Sequence, residues 1–397
     1  MSPGFEALVA GHICLDLHPD LSGAGREAFE DIFLPGRLVA AGPATYFTGG
    51  TVSNTGLALH RLGISTRLAG KIGDDLFGQA IGQIVAAQGP GLAEGMAVDA
   101  SASTSYTIII NYPGVDRILL HYPGANDTFQ ADDVPVALLK QARLFHFGYP
   151  PLMRSTFIDG GAQLVEIFRR AKLAGVTSSL DMAFPDPSSE AGQADWRQIL
   201  ASVLPQVDIF LPSVEEILFM LRRTTYQKLC QKAESADILP MITPQLLSDL
   251  GRELIGMGAK IVGLKLGNRG MYLRTADRTM INAMGRAHPS KPEAWAGKEL
   301  WAPCFKVTVA GTTGSGDATI AGLLGALLRD LPVEQALTIA VAVGGCKVEA
   351  PDALSGIRTW EDTLQRIASG WDHLPLELNS PGWHFDRPGG LWCGPCS

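Results

Sequence analysis

The sequence predicts an α/β protein in three layers, with helices on both faces of a central, mainly parallel sheet and a small β-sheet as a lid. Short β-branched runs alternate with longer helical runs along most of the chain, which is typical of parallel strands joined by helices. Two β-rich stretches interrupt this alternation. The composition, 46% hydrophobic and 18% charged over 397 residues, suits a well-packed globular enzyme.

The core elements follow from the local patterns in chain order. Apolar, β-branched runs predict strands at 7–11, 66–72, 176–182, 207–211 and 260–266. Longer runs with apolar stripes predict helices at 52–62, 76–88, 213–222, 244–256, 318–329 and 333–348.

The lid is predicted from two stretches that lack helical periodicity. Residues 105–112 and 117–122 flank a Pro-Gly-containing turn at 113–116, which is the pattern of a β-hairpin. The segment 18–48 follows the first strand without a helical pattern. Two β excursions from a parallel sheet indicate a small sheet that covers a site.

We therefore divide the chain into one domain at 1–372 and a tail at 373–397. The lid is formed by about 17–48 and 103–126 of the domain. The tail is rich in Gly, Pro and Trp and is expected to be irregular or partly ordered. A polar insert at 274–298 has no clear pattern.

Charge and hydropathy exclude several classes of function. A net charge of −8 argues against a nucleic-acid binder, which would need a basic face. No apolar run approaches the roughly 18 residues that span a bilayer. The first residues lack the basic start of a secretory signal, so we expect a cytoplasmic protein.

The six cysteines are too few and too scattered for a disulfide framework. Cys14 and Cys346 lie in apolar runs and are expected in the core. Cys393 and Cys396 form the Trp-Cys-Gly-Pro-Cys string of thioredoxins, but no helix can follow them to lower a thiol pKa. A tail disulfide or adventitious metal is the favoured interpretation of this pair.

The most informative segment is 311–317, which reads Gly-Thr-Thr-Gly-Ser-Gly-Asp and runs into an apolar helix. Glycines let backbone N–H groups converge on an anion, and the helix start adds the positive end of its dipole. An acid there would repel a bound phosphate, but it makes sense as a base during phosphoryl transfer. The alternative is an ordinary turn in which Asp317 serves the helix dipole.

Four other segments carry groups that suit the same chemistry. Asp16 follows the first strand, and Asn54 follows Gly49 and Gly50 at a helix start, so this acid and amide could bind sugar hydroxyls. Glu216 follows another strand and could position hydrated Mg²⁺. The segment 265–270 is a glycine-punctuated strand end where backbone can approach a nucleotide.

On these motifs the chain resembles the ribokinase-like (PfkB) family of sugar and nucleoside kinases over roughly residues 5–370. The later family signature is matched from Thr312 to Leu324, and the earlier one at Gly49, Gly50 and Asn54, among others. The resemblance implies ATP and Mg²⁺ as cofactors and a small sugar or sugar derivative, such as a sugar acid, as the phosphate acceptor.

The resemblance also implies a role for each site residue. Asp317 would be the catalytic base, beside an anion hole that Gly314, Ser315 and Gly316 form with their amides. The remaining roles would be sugar binding by Asp16, Gly49, Gly50 and Asn54, nucleotide binding by Lys265, Gly267, Gly270 and Thr312, and ordering of water around Mg²⁺ by Glu216.

Two positions depart from the family pattern. Gly311 stands where the family usually has an Asp that helps to bind a monovalent cation, and this absence argues against K⁺ activation. Ser213 replaces the Asn that usually begins the element containing Glu216. Because Glu216 is retained, we expect the Mg²⁺ role to persist.

Alternatives remain open at this stage. A nucleoside kinase would need stacking rings, which Phe47, Tyr106, Tyr112 and Phe147 could provide. A catalytically weak sugar or nucleotide sensor of the same fold is the second alternative. The eight histidines include no metal-binding spacing, and core or surface positions are favoured over pocket positions for His121 and His146.

Two further hypotheses concern contacts that the sequence does not define. Asp181, at a strand end, either faces the site or caps a loop, and the second reading is favoured. The exposed edges of the lid favour a homodimer formed through it.

Overall fold

The computed structural model describes residues 4–21, 34–111, 118–233 and 237–395. The predicted hairpin turn at 113–116, together with Tyr112 and Cys396, lies outside the described residues.

Sixteen strands lie in these ranges. They are β1 (Ala7–Gly11), β2 (Cys14–Asp20), β3 (Gly42–Gly49), β4 (Thr66–Ala69), β5 (Lys71–Gly73), β6 (Ala97–Asp99), β7 (Tyr106–Ile110), β8 (Ile118–Tyr122), β9 (Leu144–Gly148), β10 (Thr177–Leu180), β11 (Ile209–Phe210), β12 (Ile261–Lys265), β13 (Met271–Thr275), β14 (Glu299–Ala302), β15 (His384–Asp386) and β16 (Leu391–Cys393).

Thirteen α-helices lie in the same ranges, and short 3₁₀ turns join several of them. They are α1 (Gly50–Arg61), α2 (Leu76–Gln88), α3 (Val136–Gln141), α4 (Ala162–Leu173), α5 (Glu190–Gln193), α6 (Trp196–Val203), α7 (Val214–Leu221), α8 (Arg223–Lys232), α9 (Pro244–Gly256), α10 (Arg278–Asn282), α11 (Ser315–Leu328), α12 (Val333–Lys347) and α13 (Trp360–Ala368).

The central sheet has ten strands in the order β15-β16-β14-β13-β12-β11-β10-β9-β1-β4. The six strands from β12 to β4 run parallel, and the remaining pairs are antiparallel. Two large apolar clusters, one centred on Phe145, Phe168 and Leu200 and the other on Leu59, Leu323 and Ala340, pack against the sheet. The predicted three-layer α/β architecture is confirmed.

A second sheet of four strands lies in the order β3-β2-β7-β8. Strands β7 and β8 pair antiparallel, as the predicted hairpin requires, and β2 and β7 pair in parallel with Leu15 opposite Tyr106. This sheet is the predicted lid. It leads directly into α1, because β3 ends at Gly49 and α1 begins at Gly50.

The structure corrects one local expectation and defines two segments that had no clear sequence pattern. The single strand at 66–72 is broken at Gly70, so β4 joins the central sheet while β5 pairs with β6. The insert at 274–298 contains α10, and the Arg286 guanidinium anchors it by donating to the carbonyls of Leu139, Ala142 and Ala174.

The tail contains two short strands that the sequence did not predict. Strand β16 pairs with β14, where Leu300 lies opposite Cys393, and β15 pairs with β16, so the tail extends the central sheet. The Gly and Pro residues of this segment form the turns between its strands. Cross-strand pairing stabilises these strands. The division of the chain at residue 372 stays a prediction.

Two findings bear on the class of protein. Cys14 and Cys346 are buried, as expected. Within the described ranges, no helix combines the length and the apolar character needed to cross a bilayer.

Candidate active site

The glycine-rich segment forms a turn that ends at the start of α11. Gly314 adopts the left-handed conformation at φ 74° and is the N-cap of the helix. The Ala318 N–H makes a helical bond to the Gly314 carbonyl at 2.9 Å, and the Ser315 N–H donates to the Thr312 carbonyl at 3.1 Å. The Ser315 amide therefore serves the turn rather than an anion. The amides of Gly316 and Asp317 precede the first helical bond, at the positive end of the helix.

The Asp317 carboxylate is buried and is held by three side chains. Thr55 Oγ1 donates to Asp317 Oδ1 at 2.8 Å, and the Tyr149 hydroxyl donates to Oδ2 at 2.7 Å. Asn54 Nδ2 lies 3.5 Å from the same Oδ2. Burial and the nearby Asp317 charge raise the pKa of Tyr149 well above its ordinary value, so Tyr149 stays a donor. The carboxylate is fixed in orientation and exposed on one side to a cleft.

An ion pair lies beside the turn. Lys265 Nζ contacts Asp181 Oδ1 at 2.5 Å, where the Asp181 side chain is buried and that of Lys265 is 14% exposed. Burial raises the pKa of Asp181, and the adjacent Lys265 ammonium opposes that rise by favouring the carboxylate. Burial opposes the charge on Lys265, but the carboxylates of Asp181 and Glu216 outweigh it and raise the pKa of Lys265. Lys265 therefore carries a positive charge next to Gly316, and the loop-cap reading of Asp181 was wrong.

Glu216 has a structural contact at the start of α7. Ser213 Oγ accepts from the Glu216 N–H at 3.2 Å, and Glu216 Oε2 accepts from the Ser213 N–H at 2.7 Å. This reciprocal capping box explains why Ser213 functions in place of Asn at this position. Glu216 also lines the cleft beside Asp181, Lys265 and Asp317.

The carboxylates of the cleft do not form a ready-made metal cage. Among the residues that the structure describes, no group of three His, Cys, Asp or Glu side chains converges on one point. Mg²⁺ commonly keeps several waters and binds through one or two carboxylates together with phosphate oxygens. Glu216 at the edge of a phosphate-sized cleft fits an ion held in that way.

A largely apolar cavity of about 250 Å³ adjoins the cleft. Lys265, Thr312, Ser315 and Gly316 line both spaces, so the cavity and the cleft are continuous. The cavity walls also include the predicted nucleotide-site residues Gly267 and Gly270, together with Phe305, Val309, Val341, Val348 and Leu374. An apolar cavity that opens onto a helix N-terminus suits a nucleotide, with its base in the cavity and its phosphates at the turn.

Asp16, Gly49 and Gly50 lie on the lid side of Asp317. Cys14 lies opposite Gly49 across β2 and β3, and a side chain at position 49 would collide with the Asp16 carboxylate. Gly50 has φ 82° and begins α1, which also carries Asn54 and Thr55. Of the residues predicted to bind sugar, Asn54 therefore lies beside Asp317, and Gly49 packs against Asp16.

The structure tests the expectations about Phe147, His121 and His146. Phe147 is fully buried among Phe129, Phe145 and Phe168, so it cannot stack on a base. His146 is buried and bonded to Ser179, and His121 is exposed on β8 with its ring 5.2 Å from that of His12, so both agree with the favoured core or surface positions.

Sequence reasoning missed Tyr149, Thr55 and His12. Tyr149 is one of three described non-glycine residues with positive φ, at 65°, and this conformation follows β9 directly. Nothing in the local sequence indicates that its hydroxyl reaches a carboxylate 168 residues away. Thr55 follows Asn54 directly, but its hydroxyl was not singled out.

The chain is similar in sequence and in fold to known proteins. The family model described as pfkB family carbohydrate kinase matches residues 25–360. Fructokinase-1 from Zea mays is 25% identical over 380 residues, which is 92% of this chain and 99% of the relative.

Two solved structures have a similar fold. A ribokinase from Arabidopsis thaliana, complexed with ribose and ATP, has a TM-score of 0.65 at 18% identity and covers 92% of this chain and 98% of its own. An E. coli protein solved with ATP and Mg²⁺ has a TM-score of 0.66 at 18% identity, covering 93% of this chain and 100% of its own.

Proposed function

The chain belongs to the PfkB family of carbohydrate kinases, and from this premise we propose that Asp317 is the base that activates the sugar hydroxyl. The observation that carries the proposal is the Asp317 carboxylate, buried at the N-terminus of α11 and held by Thr55 and Tyr149. A carboxylate fixed in this way faces the cleft in which phosphates would lie.

The transfer step uses few protein groups. The hydroxyl oxygen of the acceptor bonds to the γ-phosphorus while its proton passes to Asp317, and the bond to the β-phosphate oxygen breaks to release ADP. The amides of Gly316 and Asp317 and the Lys265 ammonium stabilise the charge on the transferred group. Gly314 and Ser315 hold the turn that presents these amides.

ATP and Mg²⁺ are the cofactors that this cleft fits. The apolar cavity takes the base, with Gly267, Gly270 and Thr312 along its wall. Glu216 would hold Mg²⁺ through water, and the ion would neutralise phosphate charge. The E. coli structure with ATP and Mg²⁺ supports the same pair of cofactors.

The transfer reaction would proceed without K⁺. Gly311 offers no carboxylate for a monovalent cation, and the ammonium of Lys347 donates to the Gly311 carbonyl at 2.8 Å. Lys347 is fully buried at the end of α12, directly under the glycine-rich turn. A resident ammonium therefore supplies the positive charge that a bound monovalent cation would supply.

The acceptor is a small sugar, bound by Asp16, Gly49, Gly50 and Asn54. The fructokinase and ribokinase relatives support this class. A nucleoside acceptor is less well supported, because Phe147 is withdrawn into the core. A sensor without turnover is disfavoured, because the base and its two donors are all in place.

The test is ADP release measured by a coupled assay with ATP and Mg²⁺. Fructose, ribose, gluconate and adenosine would be compared, and a reaction without acceptor would correct for ATP hydrolysis. We expect turnover with at least one neutral sugar. Turnover with adenosine alone would support a nucleoside kinase, and stabilisation by ATP without any turnover would support a sensor.

We also propose a cytoplasmic homodimer that forms through the lid. Leu119 and Leu120 on the edge strand β8 are about half exposed, at 53% and 51%. Tyr46 and Phe47 on the opposite edge strand are exposed as well. Light scattering should give twice the monomer mass of 42.2 kDa, and a Leu120→Lys variant should shift toward the monomer.

A further inference from the structure

His12 is a buried side chain whose polar atoms have no partner in the protein. It follows β1, is 2% exposed, and neither Nδ1 nor Nε2 has a hydrogen-bond partner. Among buried side-chain nitrogens and oxygens of the described residues, the only other such atom is Asn54 Oδ1. Buried polar groups without partners are costly and rare in folded proteins, so their coincidence in one place requires an explanation.

The His12 ring packs between the start of α1, Tyr149 and His121. A Cβ atom at Gly50 would lie 2.5 Å from His12 Nδ1, so the ring packs directly on the start of α1. The ring centre lies 6.2 Å from that of Tyr149, whose hydroxyl bonds Asp317 at 2.7 Å. On the lid side, the His121 ring covers it at 5.2 Å.

The orphaned Asn54 oxygen belongs to the same space. Asn54 Nδ2 is directed to Asp317 Oδ2 at 3.5 Å, while Oδ1 has no partner. The unsatisfied atoms of His12 and Asn54 therefore belong to side chains that neighbour Asp317, Asn54 directly and His12 through Tyr149. A substrate hydroxyl is the group expected beside that base in the transfer step.

The ring is neutral under physiological conditions. Burial and the neighbouring His121 lower the pKa of His12 to about 3. A neutral imidazole has one donor and one acceptor nitrogen, which matches a hydroxyl, itself both donor and acceptor. A carboxylate or phosphate beside the ring would favour the charged imidazolium, which this buried environment resists.

We propose that His12 is an acceptor-binding residue that hydrogen-bonds a hydroxyl of a neutral sugar, with Asn54 Oδ1 accepting from a second hydroxyl. The acceptor class is therefore a neutral polyol rather than a sugar acid or a sugar phosphate. This inference rests on the proposed kinase function and adds the charge of the substrate and the residue that selects it.

The kinetic test compares His12→Phe, His12→Asn and wild type, with His60→Asn as a matched control outside the site. Fructose, ribose and gluconate are the acceptors. We expect His12→Phe to raise KM for the neutral sugar at least 10-fold while KM for ATP changes less than twofold. His12→Asn should recover part of the loss, because an amide also donates and accepts.

Two results would overturn the inference. One is an unchanged sugar KM in a folded His12→Phe variant, which would mean that buried water satisfies the ring. The other is a kcat/KM for gluconate that equals or exceeds that for the neutral sugars in wild type. If His12→Phe fails to fold, the same comparison is made with His12→Asn, for which we expect a smaller rise in the sugar KM and an unchanged ATP KM.

A second readout separates this inference from the proposed function. The ¹⁵N resonances of the His12 ring should move when fructose or ribose is added to wild type with a non-hydrolysable ATP analogue, and should not move with gluconate. If the His12 resonances move with a neutral sugar but the protein shows no ATP turnover, the kinase proposal alone is contradicted. A ring that ignores every neutral sugar in an active enzyme would contradict the His12 proposal alone.

Discussion

The two ends of the cleft differ in how their polar groups are satisfied. At the phosphate end, the carboxylates of Asp317, Asp181 and Glu216 all have protein partners at 2.5–2.8 Å. At the acceptor end, His12 and Asn54 Oδ1 have none. The protein thus fixes the groups that act on phosphate in advance and leaves the sugar to complete the other end. Preorganised charge accelerates transfer, and unpaired polar groups reject substrates that cannot pair with them.

Lys347 supports the phosphate end of the cleft from beneath the glycine-rich turn. Of the supporting residues, it should give the largest loss of kcat when its charge is removed. We expect Lys347→Met to lower kcat by roughly 10²-fold, because a donor beneath the anion-binding turn is lost. Lys298→Met, on the surface, is the control. The rates of wild type in K⁺ and in tetramethylammonium should agree, and a strong K⁺ requirement of wild type would contradict the role of Lys347.

Tyr149→Phe removes one of the two close donors to Asp317 and keeps the ring. We expect kcat to fall by roughly 10-fold, since a hydrogen bond to a charged group is lost while Thr55 still holds the other oxygen. Steady-state kinetics on the sugar identified by the acceptor panel will measure the change. An unaltered kcat would mean that Thr55 alone orients the carboxylate.

The smallest effect concerns stability at low pH. Burial lowers the pKa of His12 and of His146 to about 3 in the folded protein, against 6.5 when exposed. The contribution of each neutral histidine to the free energy of unfolding is therefore fully present above pH 6.5. It decreases as the pH falls toward 3, by at most about 1.4 kcal/mol per pH unit for each histidine. Urea unfolding at pH 7, 6 and 5 should show this slope, and it should be smaller in His12→Phe. An equal slope in both proteins would contradict a neutral buried ring at position 12.

The sequence predicts local features well. Helix α9 has the bounds that its pattern predicts, because a Pro at its first position and a clear apolar stripe define it. The glycine-rich turn was found because its chemistry requires adjacent residues. The capping box of Ser213 and Glu216 was not predicted, although Ser followed three positions later by Glu is its local signature.

The missed features depend on distant contacts. Tyr149 and Thr55 reach Asp317 across 168 and 262 residues, so no local pattern reports them. The importance of His12 lies in the partners it lacks, which only the packed structure reveals. The strands of the tail were not predicted, because β16 gains its stability from pairing with β14, about 90 residues earlier.

The most direct test of Asp317 as a prearranged base is the Asp317→Asn variant. The amide keeps the shape of the side chain but cannot accept the proton, so kcat should fall by roughly 10²–10⁴-fold while the affinity for ATP changes only a few-fold. Single-turnover rates and ATP titration of one preparation give both numbers. A variant that binds ATP and transfers phosphate at close to the wild-type rate would contradict the assignment of Asp317 as the base.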